Sequence, residues 1–530
     1  MAEVIIERLL LQALENDSPD QEQSLKDWND DLEKEMLNGG GPQFISTTGE
    51  SSENLFTLSD AMNRLHASLL TAVYPGYDEL GLSDNEEADD ASAKVANEYQ
   101  RDGNKQHLSF LSENLRAAGL FMRWYAQCLQ SSLERGSTSS TENPTSRLKS
   151  KGMLLLYCKL LDDANLQSSS NECPDIPRFA SICIFRATYG NDNVTLLARK
   201  SFVHYLGCTY LIRVLLKGDQ PVPRLLSVVR NVHHLIAAEP ESIPKMEKIL
   251  ETLTADECAV ETENDNNDKN KYGLLEVLVA TLAWTLRSDP SFPGDPADRR
   301  SDLALEILRS LFAMDAGKPL PSNDTMTQIG IMFCEILRLS NADIRVYQCK
   351  LSVVALLLNA PGEYSGYLAS HDGIKPLVEI MAYQLSVVVV ERTANSAEDA
   401  TAVVPILLVV RKLCQSNASV LQMVKNEVFP LELEGSFQEK VTAEMAKMQS
   451  EGQSKAKNLA PLDAPRGTVR WKLIRLMTWI DSSVKRSACE LLWTLCDDDA
   501  TEFVLRTGFG NAVYFLGNKG LVNLPAGVNV

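Results

Sequence analysis

The sequence predicts an all-α protein, an armadillo/HEAT-like α-solenoid built from superhelical helical repeats. Three observations lead there. Apolar residues recur at the spacing of a single helix face, as at Val469, Leu473, Leu476, Met477 and Ile480. No run alternates apolar and polar residues for long enough to argue a sheet. A loose unit also repeats: an apolar helix, a polar turn, a short helix, then a glycine or its substitute before an apolar residue. At 530 residues the chain exceeds an ordinary single core, and an array whose units bury their faces against neighbours accommodates that length.

The elements follow in order. Residues 1–106 read as an acidic, variable helical region with gaps at 39–42 and 83–90, its best helix at 55–74. The solenoid is expected over 107–530. Leu108, Leu111, Leu115, Leu120, Trp124 and Leu129 share one broad face. Insertions are expected at 134–150, which is Ser/Thr-rich, at 255–272, rich in acid and Asn, and at 432–466. Apolar helices are expected at 153–161, 179–185, 273–286, 303–312 and 329–339. The clearest repeat copies run 353–377, 404–431 and 491–515. Their turns fall at Gly373-Ile374-Lys375-Pro376, Glu427-Val428-Phe429-Pro430 and Gly508-Phe509-Gly510-Asn511. Asp481-Ser482-Ser483 has the short oxygen-bearing side chains that cap a new helix, so the chain restarts there.

Composition narrows the function. A net charge of −20 argues against a general nucleic-acid or anionic-membrane surface, because both polyanions are repelled at long range. Eleven cysteines include no Cys-x-x-Cys pair, and Cys183, Cys208, Cys334, Cys414 and Cys496 lie in apolar stripes. They read as buried, reduced thiols in a cytoplasmic setting. Glu3 and Glu7 break any secretory signal, no lipidation signal stands at either end, and 273–286, interrupted by Glu276, is too short to span a bilayer.

No enzyme site emerges: there is no Walker loop, dinucleotide fingerprint, nucleophile elbow or His-Glu-x-x-His. No catalytic residue, metal ligand or cofactor is expected. His233-His234 makes a poor metal site because adjacent side chains point about 100° apart on a helix. Cys489 and Cys496 could share a face and read as buried. Ser83-Asp-Asn-Glu-Glu87 is either an acid-directed phosphorylation site or a solvated loop.

The basic cluster says more. Between Arg466 and Arg486 lie six basic residues (Arg466, Arg470, Lys472, Arg475, Lys485, Arg486) against one acid, Asp481, a local +5 in an acidic chain. It is either an acidic partner's landing surface or a solvated face balancing neighbouring repeats. Asn359 closes an apolar helix, where it either contacts a bound peptide backbone or caps the helix. Trp471, Trp479 and Trp493 belong to core or groove. Gly508, Gly510 and Asn511 read as turn residues that tolerate positive φ.

The segments Arg475-Leu-Met-Thr, Val484-Lys485-Arg486, Glu490-Leu-Leu-Trp-Thr-Leu-Cys496 and Thr507-Gly-Phe-Gly-Asn-Ala512 resemble, in order, the signature of the synembryn family. Lys350-Leu-Ser-Val-Val-Ala-Leu-Leu-Leu-Asn-Ala-Pro361 resembles a second family segment. The family comprises armadillo-type proteins that chaperone heterotrimeric G-protein α subunits and promote their nucleotide exchange. The resemblance implies a monomer that binds a GDP-bound or nucleotide-free α subunit, draws out its C-terminal helix and stabilises the open state. It also implies recruitment to the cell cortex or plasma membrane through that partner. Lys350, Asn359, Arg411, Arg475, Lys485 and Arg486 are the expected contacts. Animal members continue past the Gly-Phe-Gly-Asn repeat with a long acidic tail, whereas this sequence stops ten residues after Gly520. Either the tail is absent or the N-terminal region replaces it. The alternative is an armadillo/HEAT adaptor for an unrelated peptide or protein.

Overall fold

The computed structural model describes residues 65–69, 111–123, 145–162, 176–204, 207–217, 221–261, 273–287, 299–314, 324–340, 343–391, 402–430 and 464–522, with a few isolated positions elsewhere. The expected helix at 55–74 lies mostly outside these residues, as do the gaps at 39–42 and 83–90 and most of 432–466. No strand occurs among the described residues, and no single described helix is long and apolar enough to cross a membrane. The chain divides into two compact units. Unit 1 comprises Met1–Thr281 with Ala297–Met314, and unit 2 comprises Leu282–Pro296 with Asp315–Val530.

In unit 1 a short 3₁₀ turn, Arg147–Lys149, precedes α1 (Lys151–Asp162), α2 (Ile176–Thr188), α3 (Asn193–His204), α4 (Gly207–Leu216), α5 (Val222–Ala238) and α6 (Ser242–Glu261). Helix α7 (Leu274–Arg287) begins in this unit, and α8 (Arg300–Met314) completes it. Helix α6 continues to Glu261, into the stretch read from the sequence as an insertion starting at 255. Every third helix packs side by side, α2 on α5 and α5 on α8, which is the layering of three-helix repeats. Apolar spacing sets this up. Helix α5 buries Leu225, Val228, Val229, Val232, Leu235 and Ile236, each contributing about 1.5–3 kcal/mol of burial. Pro221 and Pro223 open the helix, where a missing amide proton costs nothing. Asn231, fully buried among these residues, donates to the Ser181 carbonyl at 3.0 Å and to Ser181 Oγ at 2.9 Å, tying α5 to α2.

Unit 2 contains α9 (Asp324–Arg338), α10 (Ile344–Asn359), α11 (Tyr364–Ser370), α12 (Ile374–Ser386) with a π turn at Val387–Glu391, α13 (Val404–Ser416), α14 (Ala418–Val428), α15 (Val469–Leu476), α16 (Ser482–Leu495), α17 (Ala500–Thr507) and α18 (Phe509–Asn518). The same layering recurs, with α10 on α13 and α13 on α16. Caps mark the restarts. Asp343, Asn417, Thr468, Asp481 and Asp499 each accept a hydrogen bond from an early amide of the helix they precede. The expected restart at Asp481 is therefore present.

Three sequence expectations change. Ile374, Lys375 and Pro376, read as a turn, form the first turn of α12, because proline suits that position and the reversal is already complete at Gly373. Only Gly508 of the Gly-Phe-Gly-Asn turn has a positive φ, 84°. Gly510 and Asn511 are helical, and Asn511 Nδ2 donates to the Thr507 carbonyl at 2.7 Å. Ile480 is 98% exposed: α15 ends at Leu476, so the apolar stripe loses its helical phase before reaching it.

Candidate functional site

The expected contact residues lie on unit 2, mostly on the layer formed by α10, α13 and α16 and on α15 beside it. Arg411 projects from α13 to α16, its Nη2 2.9 Å from Glu490 Oε2. Lys519, just beyond α18, approaches the same oxygen at 3.6 Å. One carboxylate thus sits between two cations, one on α13 and one at the C-terminal end of α18. The contact is coulombic, since neither Arg411 Nε nor Glu490 Oε2 finds an aligned hydrogen-bond partner. The Lys519 ammonium also lies 5.0 Å from the Phe515 ring centroid and 5.4 Å from that of Trp493.

Aromatic rings hold two more of the expected cations. Lys485 Nζ lies 4.3 Å from the Tyr514 ring centroid, and the Arg475 guanidinium lies 5.3 Å from that of Trp471. Both rings restrict long side chains that solvent would otherwise leave mobile, which lowers the entropy lost on contact. Arg486 and Asn359 are exposed, Asn359 at the last turn of α10.

The structure removes other members of the set from the surface. Lys350 is 4% exposed, and burial pushes its ammonium below the usual lysine range, opposed by the charge of Glu379. It stands in the packed side of α10 because it falls in phase with Val346, Val353 and Leu357, which are buried too. Arg470, counted in the basic cluster read as either a landing surface or a solvated face, is fully buried and belongs to neither. Lys472 is half-buried, donates to Ser386 Oγ at 2.6 Å, and is held low by burial. The local +5 therefore divides between scaffold and surface. Arg466, Arg475 and Arg486 are exposed, while Lys485 is half-exposed against its ring.

Sequence reasoning missed Glu490, Lys519 and Lys412. Lys412 on α13 donates to the carbonyls of Leu358, at 2.7 Å, and Ala360, at the C-terminus of α10. It fills the capping role considered for Asn359. No local pattern reveals such pairings, because their partners lie some fifty to eighty residues apart in sequence. Trp493 is core at 7% exposure, whereas Trp471 and Trp479 are half-buried.

The other sequence motifs resolve simply. His233 Nδ1 lies 3.3 Å from Glu306 Oε2, while His234 Nε2–H donates to the Thr188 carbonyl at 2.8 Å. The two rings point to different partners, and no group of three or more metal-ligating side chains exists among the described residues. Cys489 and Cys496 are buried, and burial raises both thiols above the usual range.

Comparison with known proteins bears on the same end of the chain. Residues 461–527, which contain α15 to α18, match the model of the family described as guanine nucleotide exchange factor synembryn. The chain is 24% identical over 286 residues to a protein of Macaca fascicularis named Chaperone Ric-8A, covering 52% of this chain and 49% of that one. It is 43% identical over 74 residues to the Gallus gallus protein of the same name, covering 13% and 14% of the two chains. The match thus spans about half the length, 49%, of the longer-matching relative. The chain resembles the synembryn family, as the signature residues indicated, and the resemblance is strongest where α15 to α18 carry Arg475, Lys485, Arg486 and Glu490.

Proposed function

We propose that the chain binds G-protein α subunits, assists their folding and promotes GDP release by holding the nucleotide-free state. The observation that carries this reading is the coincidence of the family-matching segment with the ring-supported cations of α15 and α16, Arg475 over Trp471 and Lys485 over Tyr514. These cations, with exposed Arg486 and the Arg411–Glu490–Lys519 group, form a surface suited to an acidic or amphipathic helix.

The mechanism needs no covalent step. A protein that binds the open α subunit more tightly than the closed one shifts the population toward the open state by that difference in affinity. An open guanine site releases GDP, and the complex lasts until GTP rebinds and restores the closed form. The buried stripes of α10, α13 and α16 provide the rigid support that preserves this difference. On this reading the protein acts in the cytoplasm, at the membranes where its partner resides.

The test is charge reversal at Arg475 and Lys485 together, with helicity followed by circular dichroism. Loss of co-elution with an α subunit at unchanged helicity supports the assignment. Undiminished co-elution removes both residues from the interface. Failure of the unaltered chain to bind any α subunit favours an adaptor for an unrelated partner.

A further inference from the structure

The turn that joins α15 to α16 carries an apolar tip that the fold does not use. Ile480 is 98% exposed, the most exposed large apolar side chain among the described residues, ahead of Leu197 at 68% and Ile344 at 66%. A single exposed apolar residue is ordinary on a helix surface, where helix propensity alone can select it. Ile480 is not on a helix: α15 ends at Leu476 and α16 begins at Ser482. A β-branched residue in a turn adds nothing to folding unless something covers it, and Gly, Asn or Ser would serve the turn as well. Trp479, half-buried beside it, extends the apolar surface.

The turn is held from both sides. The Met477 amide donates to the Leu473 and Ile474 carbonyls at 3.2 and 3.1 Å, the Trp479 amide to the Leu476 carbonyl at 3.0 Å, and the Thr478 hydroxyl to the Arg475 carbonyl at 3.3 Å. On the far side the Asp481 carboxylate accepts from the amides of Ser483 at 2.8 Å and Val484 at 3.0 Å. Leu476, Met477 and Val484 are buried and root the turn in the packing of α15 on α16. Ile480 is therefore presented in a fixed position, and a partner that covers it loses little chain entropy in doing so.

The charges on the helix ends beside the tip are mostly positive. From Arg475 to Arg486 the chain carries Arg475, Lys485 and Arg486 against Asp481, whose carboxyl is held below its usual range by the hydrogen bonds of Ser483 and Val484 and so stays charged. Arg475 and Arg486 are exposed, and Lys485 lies against the ring of Tyr514, itself 40% exposed. An apolar point flanked by cations complements an apolar socket flanked by carboxylates.

We propose that Ile480 is the apolar anchor of the surface formed by α15 and α16: it enters an apolar socket on the α subunit, while Arg475 and Arg486 meet carboxylates at the edge of that socket. This rests on the G-protein reading and deepens it by naming the contact that sets residence time. The cations act at long range and speed encounter, whereas the anchor, covered only in the complex, slows departure. A bilayer is the poorer cover. The chain's charge of −20 is repelled by an anionic membrane surface at long range, and two side chains bury far less than the single acyl chain that anchors a protein only marginally.

The test measures association and dissociation of the full chain with an immobilised α subunit by surface plasmon resonance. Ile480→Ser is expected to weaken binding about ten- to hundredfold, the value of burying one such side chain, through faster dissociation and to the same degree at low and high salt. Ile480→Met should retain most of the affinity. Arg486→Gln should instead slow association, and mainly at low salt. Because Ile480 is exposed, Ile480→Ser should keep the urea midpoint of the unaltered chain, which separates lost binding from lost folding. Leu197→Ser, at an exposed apolar residue of α3, is the control and should bind unchanged. Unchanged dissociation of Ile480→Ser from an α subunit that the unaltered chain binds overturns the anchor and leaves the G-protein reading intact. No binding by the unaltered chain overturns both. Capture of the unaltered chain, but not of Ile480→Ser, on vesicles of equal parts phosphatidylcholine and phosphatidylserine would assign the tip to a bilayer and overturn the proposal likewise.

Discussion

The Lys412 ammonium donates to the Leu358 carbonyl across 2.7 Å, so a side chain of α13 closes the C-terminus of α10. The last carbonyls of a helix lack intrahelical partners and carry the negative end of its dipole, and a cation satisfies both. Helix α13 is thus tied to α10 by charge as well as by apolar packing. Lys412→Met is expected to cost about 1–2 kcal/mol, read as a lower urea midpoint, and Lys412→Arg to retain part of the loss. An unchanged midpoint would show that water serves those carbonyls as well.

Gly508 and Gly510 stand two residues apart and should respond in opposite directions. Gly508 joins α17 to α18 at φ 84°, a region in which a Cβ costs about 1–2 kcal/mol. Gly510 is helical, and a Cβ there would meet nothing within 4 Å. Gly508→Ala should therefore lower the stability read from urea unfolding, while Gly510→Ala should hold it or raise it by up to about 1 kcal/mol of helix propensity.

What could be read from the sequence was whatever depends on near neighbours. The helix stripes, the Asp481 cap and the buried cysteines follow from spacing and side-chain chemistry alone, and the structure contains them. The phase of a residue within a stripe was legible only where the helix ends were right, which is why Ile480 was misplaced once α15 stopped at Leu476. Lys350 looked like a surface cation by type, yet its phase with Val346 and Val353 places it inside. Pairings such as Arg411 with Glu490 join separate repeats and leave no local pattern.

Glu490 restrains the two cations beside it. Glu490→Gln removes the carboxylate that Arg411 and Lys519 share and raises the local charge by one. Association with an acidic partner should then speed up severalfold at low ionic strength, with little change at high salt, because the gain is long-range steering. Stopped-flow association with an α subunit at two salt concentrations measures this. A gain that persists at high salt would point to a direct contact instead.

His66 makes the stability of unit 1 pH-dependent. Burial, with a smaller contribution from the charge of Arg147, lowers its pKa from 6.5 to about 4. The folded state therefore refuses a proton that the unfolded chain accepts. The associated stability is complete above pH 6.5 and is lost as pH falls toward 4, amounting to about 3 kcal/mol in all. In His66→Leu the decline over that window should be shallower than in the unaltered chain, as measured by urea unfolding at each pH. Parallel declines would contradict a buried neutral imidazole.

The most direct test of the central claim mixes the full chain with an α subunit preloaded with labelled GDP, and follows label release together with co-elution after nucleotide removal. The account predicts faster release and a stable nucleotide-free complex that GTP dissolves. Neither acceleration nor complex formation, across the α subunits of the same host, would contradict it.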